Sequence, residues 1–83
     1  VSAELTIRYF AAARAAAGVP EEAVRGDRCL DELVADLAER HGERLSTVLK
    51  VASFLVDGVV WRDRQARLPS GATVDVLPPF AGG

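Results

Sequence analysis

Leu5, Ile7 and Tyr9 alternate with Glu4, Thr6 and Arg8, so the first apolar positions of the chain recur at every second residue. That period predicts a half-buried strand over residues 3–10, one face toward a core and the other toward solvent. Ala11 to Ala17 consists of good helix formers and ends at Gly18, a natural C-terminal cap. Its side chains are too small for a main packing helix, so one or two connecting turns are expected. Val19-Pro20 bends the chain, and Glu22 to Arg25 reads as a modest second strand closed by Gly26-Asp27.

The period then lengthens. Leu30, Leu33, Val34, Leu37 and Ala38 fall on one face of a helix predicted over 30–41, with Asp31, Glu32, Asp36, Glu39 and Arg40 mostly opposite. Acidic residues near its start and Arg40 near its end suit the helix dipole, and Gly42 is the stop. Cys29 stands where Ser or Thr usually caps, with Glu32 three residues on as in a capping box; Asp27 is the alternative cap. Leu45, Val48 and Leu49 predict a short helix over 43–50 at one edge of the core. Ser53 to Val56 and Val59 to Arg62 read as a hairpin turned by Asp57-Gly58, where both positions tolerate positive φ. Asp63 to Ala66 is polar and irregular. Pro69-Ser70-Gly71 is a turn, and Thr73 to Leu77 is a last strand running into Pro78. Strands served by one long helix predict a two-layer α+β domain over residues 1–77, followed by an extended tail over 78–83.

Composition narrows the function more than the fold. Eighty-three residues make one small domain, and a net charge of −2 without a basic run gives no sign of nucleic-acid binding. No apolar run approaches membrane-spanning length, and the start lacks the sections of a signal peptide, so a cytoplasmic protein is expected. One Cys and one His can make neither an internal disulfide nor an unaided zinc site. Cys29 is read as a helix-start or core residue, His41 as a surface residue of the last helical turn, and Trp61 as core or rim. Glu43, Arg44 and the stretch from Arg62 to Arg67 are read as solvated surface. Neighbouring carboxylates at Glu21/Glu22 and Asp31/Glu32 face apart, so no acid–base pair is expected, and no GxxxxGK phosphate loop is present.

The chemistry concentrates in Pro78-Pro79-Phe80-Ala81-Gly82-Gly83. The prolines fix φ and hold the exit extended; the glycines, without Cβ, can pass a slot too narrow for side chains. That shape suits delivery of a carboxylate into another protein's active site.

Ile7-Arg8-Tyr9-Phe10-Ala11-Ala12-Ala13-Arg14, the Asp57-Gly58 turn and above all Val74-Asp75-Val76-Leu77-Pro78-Pro79-Phe80-Ala81-Gly82-Gly83 resemble the MoaD/ThiS family of ubiquitin-like sulfur carriers. The resemblance spans essentially the whole chain. It departs at Cys29, in place of a Thr or Ser cap, and at Ser70-Gly71-Ala72, in place of Asp-Gly-Asp; both positions look structural. It implies a β-grasp fold, with the first and last long strands side by side in a mixed sheet on one long helix. It also implies a carrier with no bound cofactor, rather than a catalyst. A ubiquitin-activating-type (MoeB-like) enzyme would spend ATP to adenylate Gly83, and a sulfur donor would leave a thiocarboxylate there. Gly82 would let the tail thread, Phe80 and Ala81 would touch the partner, and Pro78 and Pro79 would aim it. Length and the Pro-Pro pair resemble the small subunit of molybdopterin synthase, which would put the larger, MoaE-like subunit opposite it. Carriers for thiazole or cysteine synthesis and ubiquitin-like modifiers are the alternatives. An apolar patch on the outer sheet face near Phe80 is expected to dock the partner.

Overall fold

The computed structural model of the chain describes residues 4–79. β1 (Glu4–Tyr9) leads through α1 (Ala11–Ala17) to β2 (Glu21–Arg25); α2 (Leu30–His41) and α3 (Glu43–Leu49) follow. β3 (Ser53–Val56), β4 (Val59–Val60) and β5 (Thr73–Leu77) complete the order. The strands form one sheet in the order β2-β1-β5-β3-β4. The central β1–β5 pair is parallel and aligns Ile7 with Val74 and Tyr9 with Val76. The other pairs are antiparallel. This is the β-grasp arrangement implied by the resemblance.

The period-2 pattern sets the faces. Leu5, Ile7, Tyr9, Val24, Phe54, Val56, Val74 and Val76 are buried on the inner face. Leu30, Leu33 and Leu37 of α2, Leu45 and Leu49 of α3 and Ala13 of α1 close over them. Each buried Val, Leu, Ile or Phe side chain contributes about 1.5–3 kcal/mol by leaving water. α2 begins as the capping-box reading expects, with the Glu32 carboxylate accepting from the Cys29 amide at 2.9 Å. It ends at Gly42, whose φ of 91° and ψ of −169° belong to a region almost confined to glycine. That one residue turns the chain from α2 into α3. Asp57 (φ 49°) and Gly58 (φ 83°) form the expected hairpin turn, and the Asp57 carboxylate accepts from the Thr73 amide at 2.9 Å, fixing the turn to β5.

Three expectations need correction. The returning strand is Val59–Val60 only, not Val59 to Arg62: Trp61 still donates its amide to the Phe54 carbonyl at 2.9 Å, but the ladder ends there. Trp61 itself is half-buried against the core, as expected. His41 is not a free surface residue. It lies in contact with the Glu22 carboxylate, only 15% of its side chain exposed, and edge-on to the Tyr9 ring at 5.8 Å. The polar stretch after β4 is exposed but not merely solvated. Arg64 and Gln65 bond to the Asp31 carboxylate at 2.5 and 2.6 Å, and Arg67 pairs with Asp27 at 2.6 Å. These residues clamp the start of α2.

Candidate functional site: the tail root and the sheet face beside it

Pro78 and Pro79, both described, continue directly from the centre of the sheet; Pro78 is half-buried and Pro79 exposed. Phe80, Ala81, Gly82 and Gly83 lie outside the described residues. Leu77, the last residue of β5, pairs with Ser53 of β3 on one side. On the other side, the Phe10 amide donates to the Val76 carbonyl at 3.3 Å. The tail therefore starts at the sheet end shared by Phe10 and Ser53.

Alternation puts Arg8, Phe10, Leu55, Val60, Asp75 and Leu77 on the outer face, away from the helices. Phe10 is 39% and Val60 52% exposed, and Leu55 and Leu77 are half-buried. These residues form an apolar patch beside the tail root; Phe80, next to which such a patch is expected, lies outside the described residues. At its centre the Arg8 guanidinium grips the Asp75 carboxylate with Nε–Oδ1 at 2.6 Å and Nη2–Oδ2 at 2.9 Å. The hydrogen bond and charge of Asp75 raise the Arg8 pKa, and the guanidinium carbon lies 5.6 Å from the centre of the Phe10 ring. Asp75 is thus neutralised and nearly covered, while the exposed Glu21 of β2 faces Arg8 from its other side. Such a surface suits recognition by a partner with an apolar core and a polar rim.

A polar network occupies the opposite side of the sheet, at the β2 edge under α2. Glu22 accepts from the Tyr9 hydroxyl at 2.5 Å and from Arg40 at 3.4 Å, besides its contact with His41. Burial pushes the Glu22 carboxyl up, but the bonds from Tyr9 and His41 and the nearby cations prevail and hold it below the usual range. Burial, then Glu22, push the Tyr9 phenol up. Arg28, almost fully buried, donates to Asp36 at 2.8 Å, while its Nε has no partner among the described residues. The Arg28 bond is the leading cause that holds the Asp36 carboxyl down. A cleft of about 400 Å³ here is lined by Arg25, Asp27, Arg28, Glu32, Asp36 and Glu39. Its buried arginine is already engaged by Asp36, so these groups chiefly hold β2 and α2 together.

The sequence reading missed the Glu22 cluster, although His41 continues the stripe of Leu33, Leu37 and Ala38. Nothing local announced the burial of Arg28. Among the described residues no group of His, Cys, Asp and Glu could hold a metal ion. No helix there is long and apolar enough to cross a membrane.

A family model described as the ThiS family matches residues 7–83. No curated protein matches in sequence. Among solved structures, the Haloferax volcanii HVO 2177 protein is 25% identical with a TM-score of 0.80, over 98% of this chain and 87% of that one. Small archaeal modifier protein 1 from Methanosarcina acetivorans is 23% identical with a TM-score of 0.81, over 100% and 99%. A complex of subunits 1 and 2 of molybdopterin-converting factor from Helicobacter pylori contains a chain 24% identical with a TM-score of 0.72, over 96% and 99%.

Proposed function

Because this chain belongs to the ThiS family, we propose that it is a sulfur carrier that serves molybdopterin synthesis as the small, sulfur-donating subunit of the synthase. The observation that carries the reading is the path of β5. It runs through the centre of the sheet and feeds Pro78-Pro79 beside an apolar outer face. A rigid body, a stiffened exit and a Gly-Gly end are the parts an acyl carrier needs.

A carboxylate is a poor acyl donor, and a mixed anhydride with AMP is a good one. A MoeB-like enzyme activates Gly83 with ATP; a sulfur donor displaces AMP and leaves a thiocarboxylate, a soft nucleophile on a protein handle. The larger, MoaE-like subunit then docks on Phe10, Leu55, Val60 and Leu77 and draws the tail into its own pocket. There the sulfur passes to the pterin precursor. Gly82 gives the backbone clearance, and Phe80 and Ala81 fix the depth of insertion. The likeness to a chain found in a two-subunit molybdopterin-converting factor complex supports the partner.

The test is intact mass spectrometry after incubation with ATP, an active activating enzyme and a sulfur donor. The expected outcome is exchange of one oxygen for sulfur, mapped to Gly83. No exchange with a demonstrably active enzyme pair would overturn the reading. The likeness to a small archaeal modifier favours a second reading, in which Gly83 is joined to lysines of other proteins. Conjugates of higher mass on a denaturing gel would identify it.

A further inference from the structure

β4 ends at Val60, and the Trp61 amide makes the last hydrogen bond of the hairpin, to the Phe54 carbonyl. Beyond it the chain leaves the ladder. A groove of about 270 Å³ opens there, its lining including Ser53, Phe54, Val60, Trp61, Arg62 and Arg64. Small-molecule sites run to roughly 300–1,000 Å³, so this one suits one or two side chains of another protein better than a cofactor.

The chemistry of the groove is one-sided. Phe54, Val60 and the half-buried Trp61 supply apolar surface, and both charged residues in the lining are arginines. Arg62 is exposed and makes no ion pair among the described residues. Arg64 gives only its Nε to Asp31 there, and its guanidinium carbon lies 5.7 Å from the centre of the Phe54 ring. The adjacent carboxylate, Asp63, is occupied by the Gln65 and Ala66 amides. The Trp61 indole nitrogen is covered and has no acceptor among the described residues. A chain of net charge −2 thus carries a cationic groove with an unmet indole donor. A guanidinium fork without a partner matches a carboxylate at two points.

The groove is continuous with the outer face through Val60, and Ser53 in its lining pairs with Leu77 at the tail root. We propose that it takes an acidic side chain of the subunit that docks on the outer face, its carboxylate on Arg62 and an apolar neighbour on Val60 and Trp61. The inference rests on that docking reading and adds orientation to it. An apolar face alone permits several rotations of a partner; a charged contact at its edge selects one, and with it the direction in which the tail enters.

The test is an NMR titration of the full, isotope-labelled chain with the peptide acetyl-Leu-Glu-Glu-Leu-amide, and with its Gln counterpart as control. Trp61 is the only tryptophan, so its indole N–H gives a single signal. Saturable shifts at Ser53, Trp61 and Arg62 are expected with the Glu peptide alone. Arg62→Glu should melt as the parent does and bind the peptide about tenfold more weakly or worse, through loss of a charge-assisted hydrogen bond. Neither ATP, activating enzyme nor larger subunit is needed, so failure here is separable from failure of sulfur loading or of docking. No saturable shift, equal binding of the two peptides, undiminished binding by Arg62→Glu, or tighter binding of an oligothymidine would each overturn the proposal. So would a purified MoaE-like subunit that binds the parent and Arg62→Glu equally well.

Discussion

Arg8 and Asp75, 67 residues apart in sequence, face each other across the parallel β1–β5 pair and share two hydrogen bonds. Asp75 is 10% exposed at its side chain and Arg8 47%, so the pair is half screened by solvent. Arg8→Ala leaves a nearly covered carboxylate unpartnered and should lower the urea midpoint, by less than a fully buried pair would because solvent screens Arg8. Arg8→Lys should recover part of this, because an ammonium cannot reproduce the two-point grip. In urea titrations the Arg8→Ala/Asp75→Ala double variant should lose less than the sum of the single losses.

Stability should fall in acid partly through Glu22. Its carboxyl is held below the unfolded value in the folded chain, so the unfolded state binds the proton more readily. The contribution is fully present above the unfolded pKa of about 4.3 and is lost as pH falls through the lower folded pKa. Glu22→Gln should therefore flatten the dependence of Tm on pH below about 5. A variant with the same acid limb as the parent would show that Glu22 is not the titrating group.

Arg28 and Asp36 should respond asymmetrically. Asp36→Ala strands a buried guanidinium and should cost about 2–4 kcal/mol, with Arg40 losing a partner as well. Arg28→Met removes the charge that needs compensation and should stay within about 1 kcal/mol of the parent. Equal losses in both, measured by chemical denaturation, would contradict this account.

Gly42 and Gly58 separate two kinds of glycine. A Cβ at either position meets nothing within 4 Å, so any cost is in the backbone. At Gly58, with Asp57 the turn pair, asparagine can adopt the required conformation, and Gly58→Asn should cost well under 1 kcal/mol. At Gly42 the same substitution should cost about 1–3 kcal/mol. Thermal melts of the two variants make the comparison.

The outer face gives a binding prediction. Val60→Asp puts an unpaired charge on a position that is 52% exposed, so folding should be nearly unaffected. If the proposed function holds, binding to a MoaE-like subunit should weaken by about tenfold or more, as a desolvated charge costs at least about 1.4 kcal/mol. Calorimetry with the purified subunit reads both arms.

The elements with strong periodicity were legible in the sequence. α2 spans Leu30–His41 as its leucines predicted, and β3 and β5 match the ranges read from alternation. Alternation along β1, β3 and β5 places Phe10, Leu55 and Leu77 on the face away from the helices, but the apolar patch expected near Phe80 falls beside a residue outside the described ones. What escaped were relationships between distant side chains. His41 sits on the apolar stripe of α2, and a polar residue there needs a partner such as Glu22. Arg28 has no periodic neighbour to betray its burial. The hairpin pattern alone extends the returning strand to Arg62, but cross-strand pairing stops at Val60.

The adjacency of β1 and β5 at the sheet centre has a consequence for biosynthesis. A nascent chain halted before Thr73 has made its helices and most of its leucines, but lacks the strand on which both halves of the sheet rest. Contacts this distant in sequence close late and slowly. A ribosome must therefore release the segment leading into Pro78 before the body can form. A chain cut short within or before β5 therefore lacks the centre of its sheet, never becomes compact, and can be removed by proteases.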